Sequence, residues 1–199
     1  MSRLATSFVL GYHGCERSIA VRAVNGEIDI LQSKRNFDWL GPGAYFWESD
    51  PQRAQEWAQW KADKGDYSSP AVLGAVIDLR NCLDLMSRDD MEMVRVAHQS
   101  FLRVQKTALL PIPENRSAPG EDGNADRVLR FLDCAVLKHL HSIVDGQPVE
   151  ERVIEPFDTV RGMFTEGQPI YNGSAFRAKS HVQIAVRTSA CIRGLFLPR

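Results

Sequence analysis

The sequence predicts an α+β protein, in which strands and helices are grouped along the chain rather than strictly alternating. Short apolar segments bounded by turn residues lie near both ends of the 199-residue chain, and two long segments with helical periodicity lie between them. With 44% hydrophobic and 25% charged residues, the composition is that of an ordinary globular protein with a sizeable core. We therefore expect a single domain covering residues 1–199.

The first third of the chain combines a short strand, a helix-like stretch and a clearly marked second helix. Residues 7–12 are rich in strand-forming side chains and run into Gly14, which predicts a buried strand ending in a tight turn. Residues 20–24 are helix-like until Asn25-Gly26 interrupts them. Asp50 followed by Pro51 is typical of a capped helix start, and we expect that helix to continue to about residue 64. The residues that share one face of it are Ala54, Trp57, Ala58 and Lys61.

The centre of the chain predicts a strand and then a helical insertion at about residues 85–150. Residues 71–79 are mostly apolar and predict another buried strand. Two helices follow, at about residues 89–109 and 125–144, and the loop between them, residues 111–123, is rich in proline and glycine. The predicted buried stripes are Val94, Ala97, Phe101 and Val104 on the first helix and Leu129, Leu132, Val136, Leu140 and Ile143 on the second.

Three further strands are expected after the insertion, at residues 160–164, 180–187 and 192–197. The middle one has a period of two, so its side chains fall on two faces. The apolar face holds Val182, Ile184 and Val186, and the other face holds His181, Gln183, Ala185 and Arg187. We expect this second face to look into solvent or into a cleft, with His181 half exposed.

Charge and cysteine usage exclude several classes of protein. The formal net charge of −1 argues against an indiscriminate binder of nucleic acids, which needs a basic surplus. No segment approaches the ~20 apolar residues that span a bilayer, and residues 1–7 lack the apolar core of a signal peptide, so we expect a cytoplasmic protein without a membrane partner. Four scattered cysteines, none in a Cys-x-x-Cys pair, predict reduced, mostly buried thiols and no metal site: Cys15, Cys82, Cys134 and Cys191.

Three short motifs place polar or aromatic residues at strands and turns. A strand ends in His13-Gly14, a glycine turn at residues 41–43 leads into Tyr45-Phe46 and a helix, and the late strand carries Gln183 before Ile-x-Val. This order resembles the NAD-binding core of the ADP-ribosyltransferase superfamily, in its His-Tyr-Glu branch, which includes the poly(ADP-ribose) polymerases and diphtheria toxin. The resemblance covers residues 7–60 and 155–197, and the helical middle has no counterpart in it.

The resemblance implies a split, mostly antiparallel sheet that forms an NAD cleft, and a role for each matching residue. His13 would hydrogen-bond a ribose hydroxyl of NAD, the Gly14 backbone would hold the nicotinamide amide, and Tyr45 would stack on the nicotinamide ring. Phe46 belongs to the same predicted binding set, and Trp57 is the second aromatic, on the following helix. Where the family carries a small hydroxyl residue on that helix, this sequence has Arg53 and Ala54.

The main departure from the family is Gln183, which stands where the family has its catalytic glutamate. That carboxylate binds the ribose and stabilises positive charge as the glycosidic bond breaks, and loss of one such electrostatic contact typically costs ~10²–10³ in rate. Three interpretations follow. Gln183 serves a transferase that depends less on the charge, Glu155 or Glu166 enters the cleft instead, or the protein binds NAD without efficient turnover. As ordinary loop carboxylates, those two glutamates would be solvated.

The activity implied is transfer of ADP-ribose from NAD to a macromolecular acceptor, protein or nucleic acid, with the segment at residues 165–180 recognising that acceptor. Small bacterial members of the family are often toxins or antiphage effectors, which implies a neutralising partner protein. The alternatives are a weak or inactive NAD or nucleotide sensor and a plain protein-interaction domain.

Two other readings of the same motifs are weak. Cys15 lies two residues from His13 on the strand, but a nucleophile needs an orienting partner and an oxyanion site, and neither is visible in the sequence. The Gly-x-Gly at residues 41–43 lacks the full glycine pattern of a Rossmann dinucleotide site.

Overall fold

The computed structural model describes residues 7–117 and 127–199. Within these ranges seven strands form one sheet in the order β4-β5-β6-β2-β1-β3-β7. The strands are β1 (Phe8–Glu16), β2 (Ala44–Glu48), β3 (Pro70–Asp78), β4 (Cys82–Asp84), β5 (Thr159–Phe164), β6 (His181–Val186) and β7 (Ile192–Phe196). Neighbouring strands are antiparallel except β4 and β5, which are parallel. The predicted α+β class with a mostly antiparallel sheet is therefore confirmed.

Four α-helices pack on the two faces of this sheet within the described ranges. They are α1 (Arg17–Val24), α2 (Pro51–Asp63), α3 (Arg88–Thr107) and α4 (Phe131–Asp145). We call the face that carries Tyr45, Trp47 and Gln183 the front face, and the face that carries His13 and Phe46 the back face. Helix α2 lies on the front of β1 and β3, the α3–α4 pair packs beyond it on the same face, and α1 lies on the back. None of these helices has the length and hydrophobicity that crossing a bilayer requires.

Local sequence signals account for α2 and for the end of α1. The Asp50 carboxylate accepts a hydrogen bond from the Arg53 amide at 2.9 Å, and Pro51 occupies the first helical turn, as predicted. Ala54 and Ala58, two of the residues predicted to share one helix face, are fully buried. Helix α1 ends at Val24, next to Asn25-Gly26, because Gly26 adopts a left-handed backbone conformation at φ 74°.

Three sequence predictions need correction. Strand β1 does not turn at Gly14 but continues to Glu16, because β3 pairs with it along its whole length. Helix α4 begins at Phe131 rather than near residue 125, since Leu129 is held in a backbone bridge with Arg116. Residues 118–123 of the predicted loop, and residues 125 and 126 of the predicted helix, lie outside the described residues. The three-residue strand β4 was not predicted, because it is too short to show a period.

The predicted helix stripes are correct in the middle and wrong at their ends. Ala97, Phe101, Val136 and Leu140 are buried. Val104, near the end of α3, is 50% exposed. Ile143 is 42% exposed because the buried face of α4 continues through Val144, which is 2% exposed and belongs to the core cluster. The largest core cluster joins α3 and α4 to the front of β5 and β6.

Candidate functional site

The site begins where strands β1 and β2 separate. Their paired residues are Gly11 with Glu48 and Tyr12 with Trp47. The Ser49 amide donates to the Leu10 carbonyl at 2.8 Å, so the backbone groups of Leu10 point toward β2. Alternate residues of a strand direct their backbone groups to the same neighbour, and those of Gly14 therefore point into the gap that opens beyond the last pair. We call this opening the β1–β2 gap.

His13 bridges the β1–β2 gap. Its Nδ1 lies 2.8 Å from the Tyr45 carbonyl oxygen. In a continuous β-ladder this oxygen would accept a hydrogen bond from the β1 backbone, but here the two strands have separated. Since a carbonyl only accepts, Nδ1 carries the proton and Nε2 of the neutral ring is an acceptor. Burial lowers the pKa of His13, which keeps the ring neutral at neutral pH. His13 can therefore accept a hydrogen bond from a ligand hydroxyl.

Tyr45 and Phe46 point to opposite faces of β2, and only Tyr45 is available to a ligand. The Tyr45 hydroxyl donates to the Gly41 carbonyl at 2.8 Å and accepts from the Leu40 amide at 3.0 Å, which fixes the half-buried ring on the front face. Burial raises the pKa of this hydroxyl. Phe46 is fully buried in the back-face core, so its side chain has no surface for a ligand and its predicted binding role is wrong.

Gln183 lies on the front face one strand away, opposite Trp47. Its side-chain oxygen accepts a hydrogen bond from the Trp39 indole nitrogen at 2.6 Å. The Trp39 ring in turn lies on Gly162, where a Cβ would come within 2.8 Å of the ring. Strand pairing thus aligns Tyr12, Trp47, Gln183 and Gly162 across four strands. The role of Trp39 was not predicted, since nothing in the sequence links it to a residue 144 positions away.

Helix α2 closes the front of β1. A Cβ on Gly14 would lie 2.3 Å from the Ala54 carbonyl oxygen, so the helix backbone rests directly on this glycine. Trp57 packs against Trp47, with ring centroids 6.0 Å apart. The structure therefore brings His13, Gly14 and Tyr45 together around the gap, with Trp57 above and Gln183 on the neighbouring strand.

His181 is not the half-exposed residue that the sequence predicted. It is 7% exposed and stacks on Phe164, with ring centroids 5.6 Å apart, because the front face of β6 is covered rather than open. Its Nδ1 lies 2.7 Å from the Lys179 carbonyl oxygen. Burial lowers the pKa of His181. The buried Ala185 on the same face shows that little of this face meets solvent.

Of the two alternative carboxylates, only Glu166 lies near these residues. It pairs with Arg53 of α2 at 3.0 Å, and the Lys179 amide donates to its backbone carbonyl. Glu155 is 72% exposed and lies 3.7 Å from Arg152, beside the opposite end of β5. A further carboxylate, Glu48, is held on the back face by two hydrogen bonds from Arg161.

The cysteines have the environment of structural thiols. Burial raises the pKa of Cys15, Cys82 and Cys191 to about 11, so their thiols stay protonated at neutral pH. Cys15 packs in the back-face core with α1. Among the residues that the structure describes, no cluster of three or more His, Cys, Asp or Glu side chains is arranged to hold a metal ion.

No family model, curated protein or solved structure matches the chain.

Proposed function

We propose that this protein is an NAD-dependent ADP-ribosyltransferase that modifies a macromolecular acceptor. The observation that carries the proposal is the β1–β2 gap, which brings His13, Gly14 and Tyr45 together and has Gln183 on the adjacent strand. The motif order along the chain predicts the same four residues.

The chemical groups at the gap suit the nicotinamide end of NAD. A primary amide needs one donor and one acceptor, and the outward N–H and C=O of Gly14 supply both. A ribose hydroxyl needs an acceptor, and neutral His13 supplies one at Nε2. The flat faces of Tyr45 and Trp57 suit an aromatic ring. NAD acts here as substrate, and its carboxamide and ribose fix the position of the bond that breaks.

In the proposed reaction the bond between nicotinamide and ribose breaks, and its electron pair leaves with the nicotinamide nitrogen. The ribose carbon then carries positive charge until an acceptor attacks it. Gln183 orients the ribose through its amide but adds no negative charge, so slow turnover is expected from the wild-type protein.

The segment at residues 165–180 is the proposed recognition element for the acceptor. It folds back on itself through a Pro169–Arg177 bridge and leads into β6. Its tip exposes Ile170, Tyr171 and Phe176 by 54–68%. Exposed apolar side chains at the edge of a site are typical of a protein-contacting surface. A cytoplasmic toxin or antiphage effector with a neutralising partner protein is the biological setting we propose by analogy.

The decisive experiment measures nicotinamide released from NAD by the purified protein. We expect slow release that Tyr45→Leu abolishes, since leucine is apolar but has no ring to stack on nicotinamide. Tyr67→Leu, which removes a ring elsewhere, should leave the release unchanged. Gln183→Glu preserves an oxygen for Trp39 and adds the charge, so release should rise by about 10²–10³. Absence of release from both the wild type and Gln183→Glu would refute the proposed reaction.

A second function, an NAD-binding sensor, is favoured by the state of Gln183. Its oxygen is already occupied by the Trp39 indole at 2.6 Å, and no carboxylate among the described residues takes its place on β6. A sensor would bind NAD without cleaving it. Thermal unfolding with NAD tests binding, because ligand at 100 times its Kd adds about 2.7 kcal/mol of stability whether or not turnover occurs. A thermal shift without nicotinamide release from either the wild type or Gln183→Glu supports the sensor, and release supports the transferase.

A further inference from the structure

We propose that a groove along the outer edge of β7 binds an extended segment of a partner polypeptide, with an arginine or lysine side chain of that segment in the cavity of the groove. We call it the β7 groove, and its walls come from the end of α1, the segment at residues 28–32 and β7 itself. The groove lies on the back of the sheet, whereas Tyr45 and Gln183 face the front. The inference therefore goes beyond the proposed function and does not depend on NAD.

The cavity of the β7 groove has the size of a site for one side chain. Its volume is about 280 Å³, and it is open to solvent. Ala44 and Val186, which are 2% and 1% exposed, form its deepest part. Pockets for small organic ligands and cofactors usually have about 300–1,000 Å³. The cavity therefore suits a single long side chain better than a dinucleotide.

The cavity follows the free edge of β7. Four consecutive residues of this strand line it, from Ile192 to Leu195. Successive side chains of a strand point to opposite faces, so a cavity that touches four residues in a row lies along the edge of the strand. β7 is the last strand of the sheet, and among the described residues it pairs with β3 alone. Its outward N–H and C=O groups are therefore open to pairing with a further strand.

The opposite wall also has free backbone groups. Residues 28–32 belong to no helix or strand, and their backbone makes no hydrogen bond to other backbone groups in the described part of the chain. The Gln32 side chain ties this wall to the end of β6, because its Nε2 donates to the Arg187 carbonyl at 2.7 Å. A peptide in the β7 groove would thus meet hydrogen-bonding backbone on both sides.

Gly194 allows another backbone to come close to β7. A Cβ at this position would meet no atom within 4 Å, and the residue is not in the left-handed region. Neither packing nor conformation within the chain therefore requires glycine here. A glycine inside a strand often lies where a ligand or another backbone approaches closely. We place the closest approach of the bound segment at Gly194.

The charges of the β7 groove favour a cation. Asp29 lines the cavity, is exposed and has no hydrogen bond or ion pair among the described residues. The last residues of α1 line it too, and the C-terminal end of a helix carries partial negative charge. Arg193 also lines the cavity, but its guanidinium pairs with Asp78 at 2.9 Å. The charge of Asp29 is therefore the one left without a counterpart.

A basic side chain with an aliphatic stem matches the rest of the lining. The Gln32 amide nitrogen is used by Arg187, which leaves its oxygen as a second acceptor beside Asp29. Lysine and arginine bury their methylene groups on apolar surface while the charged end stays near water or a carboxylate. The apolar residues available for the stem are Val24, Ile28, Ile30 and Ile192. An acidic side chain would instead meet the like charge of Asp29.

The first experiment selects peptides without assuming their sequence. A library of random heptapeptides displayed on phage is bound to the full-length protein, and phage that also bind Gly194→Val are removed. Valine favours strand conformation and its Cβ meets no atom of the chain, so this variant should fold while it blocks the approach to β7. We expect the retained peptides to share one arginine or lysine position. Failure to retain any peptide, or retention without such a position, overturns the proposal.

The second experiment measures the Kd of one retained peptide, synthesised with a fluorophore, by fluorescence anisotropy. Asp29→Asn keeps the size of the side chain but removes its charge, so the Kd should rise about 10-fold. Replacing the basic residue of the peptide by glutamate should raise the Kd by about the same factor. N-methylation of alternate peptide amides should abolish binding, because it removes the donors for pairing with the β7 edge. Asp63→Asn, an exposed carboxylate on α2, should leave the Kd unchanged.

Three results would assign the β7 groove to something else. A Kd that Asp29→Asn leaves unchanged overturns the cationic side chain. Binding of arginine amide as tight as that of the whole peptide overturns the extended segment and leaves a site for small cations. A dimer in sedimentation that Gly194→Val converts to a monomer shows that a second copy of this chain occupies the groove. None of these measurements uses NAD, so their outcome is independent of whether the protein releases nicotinamide.

Discussion

His141 on α4 should make the protein measurably less stable in mild acid. Its ring is 4% exposed, and neither ring nitrogen has a hydrogen-bond partner in the described part of the chain. It packs edge-on against Phe157, and the turn at Gly41 lies beside it. Burial and the nearby Arg187 lower its pKa to about 4, with Asp145 acting in the opposite direction. In mild acid the unfolded chain therefore binds a proton at His141 that the folded protein does not bind.

The sign and size of the effect follow from that shift. Between a pKa of 6.5 in the unfolded chain and about 4 in the folded protein, only the unfolded chain binds the proton. The contribution to stability is thus complete above pH 6.5 and decreases as the pH falls toward 4. At pH 4.5 we expect the His141 contribution to have decreased by about 2 kcal/mol relative to pH 7, at 1.36 kcal/mol for each pKa unit.

Urea unfolding at pH 7 and pH 4.5 measures this loss in the wild type and in His141→Phe. Phenylalanine keeps an aromatic ring in the cavity but cannot be protonated, so the variant should lose about 2 kcal/mol less than the wild type between the two pH values. Both proteins contain His13 and His181, so the contributions of these two histidines to the pH dependence of stability cancel in the comparison. His98→Gln, on α3, controls for the loss of a histidine as such. An equal loss in wild type and His141→Phe would refute the argument.

Three further changes test the fold and the site. Gly14→Ala forces a Cβ to within 2.3 Å of the Ala54 carbonyl oxygen, and the free energy of unfolding should fall by about 1–3 kcal/mol in urea titrations. Asp50→Ala removes the cap of α2 and should cost about 1 kcal/mol in the same assay, whereas Asp50→Asn should cost little. Trp39→Phe removes the 2.6 Å hydrogen bond to Gln183, which should lower stability by about 1 kcal/mol and weaken the thermal shift caused by NAD. An NAD-induced shift of wild-type size in Trp39→Phe would show that the position of Gln183 does not matter for binding.

Much of the candidate site was readable from the sequence because its signals are local. A histidine before a glycine, a glycine turn before an aromatic pair and a helix cap each lie within a few residues of one another. The register between strands is not local. It decides that Trp47 lies beside Gln183 and that β1 and β2 separate after their second pair. For the same reason the sequence missed Trp39, whose partner lies on a distant strand.

The sequence by itself determined the α+β class, most strand positions, the capped helix α2 and the burial of most of the cysteines. These depend on periodicity, turn residues and capping groups, whose energies act over a few residues. Only the tertiary structure decided which face of a strand is covered. His181 is buried, although the sequence periodicity predicted half exposure, and Phe46 is buried in the core rather than at the site. Burial depends on which elements pack above a residue, and a strand's own period of two shows only that its faces differ.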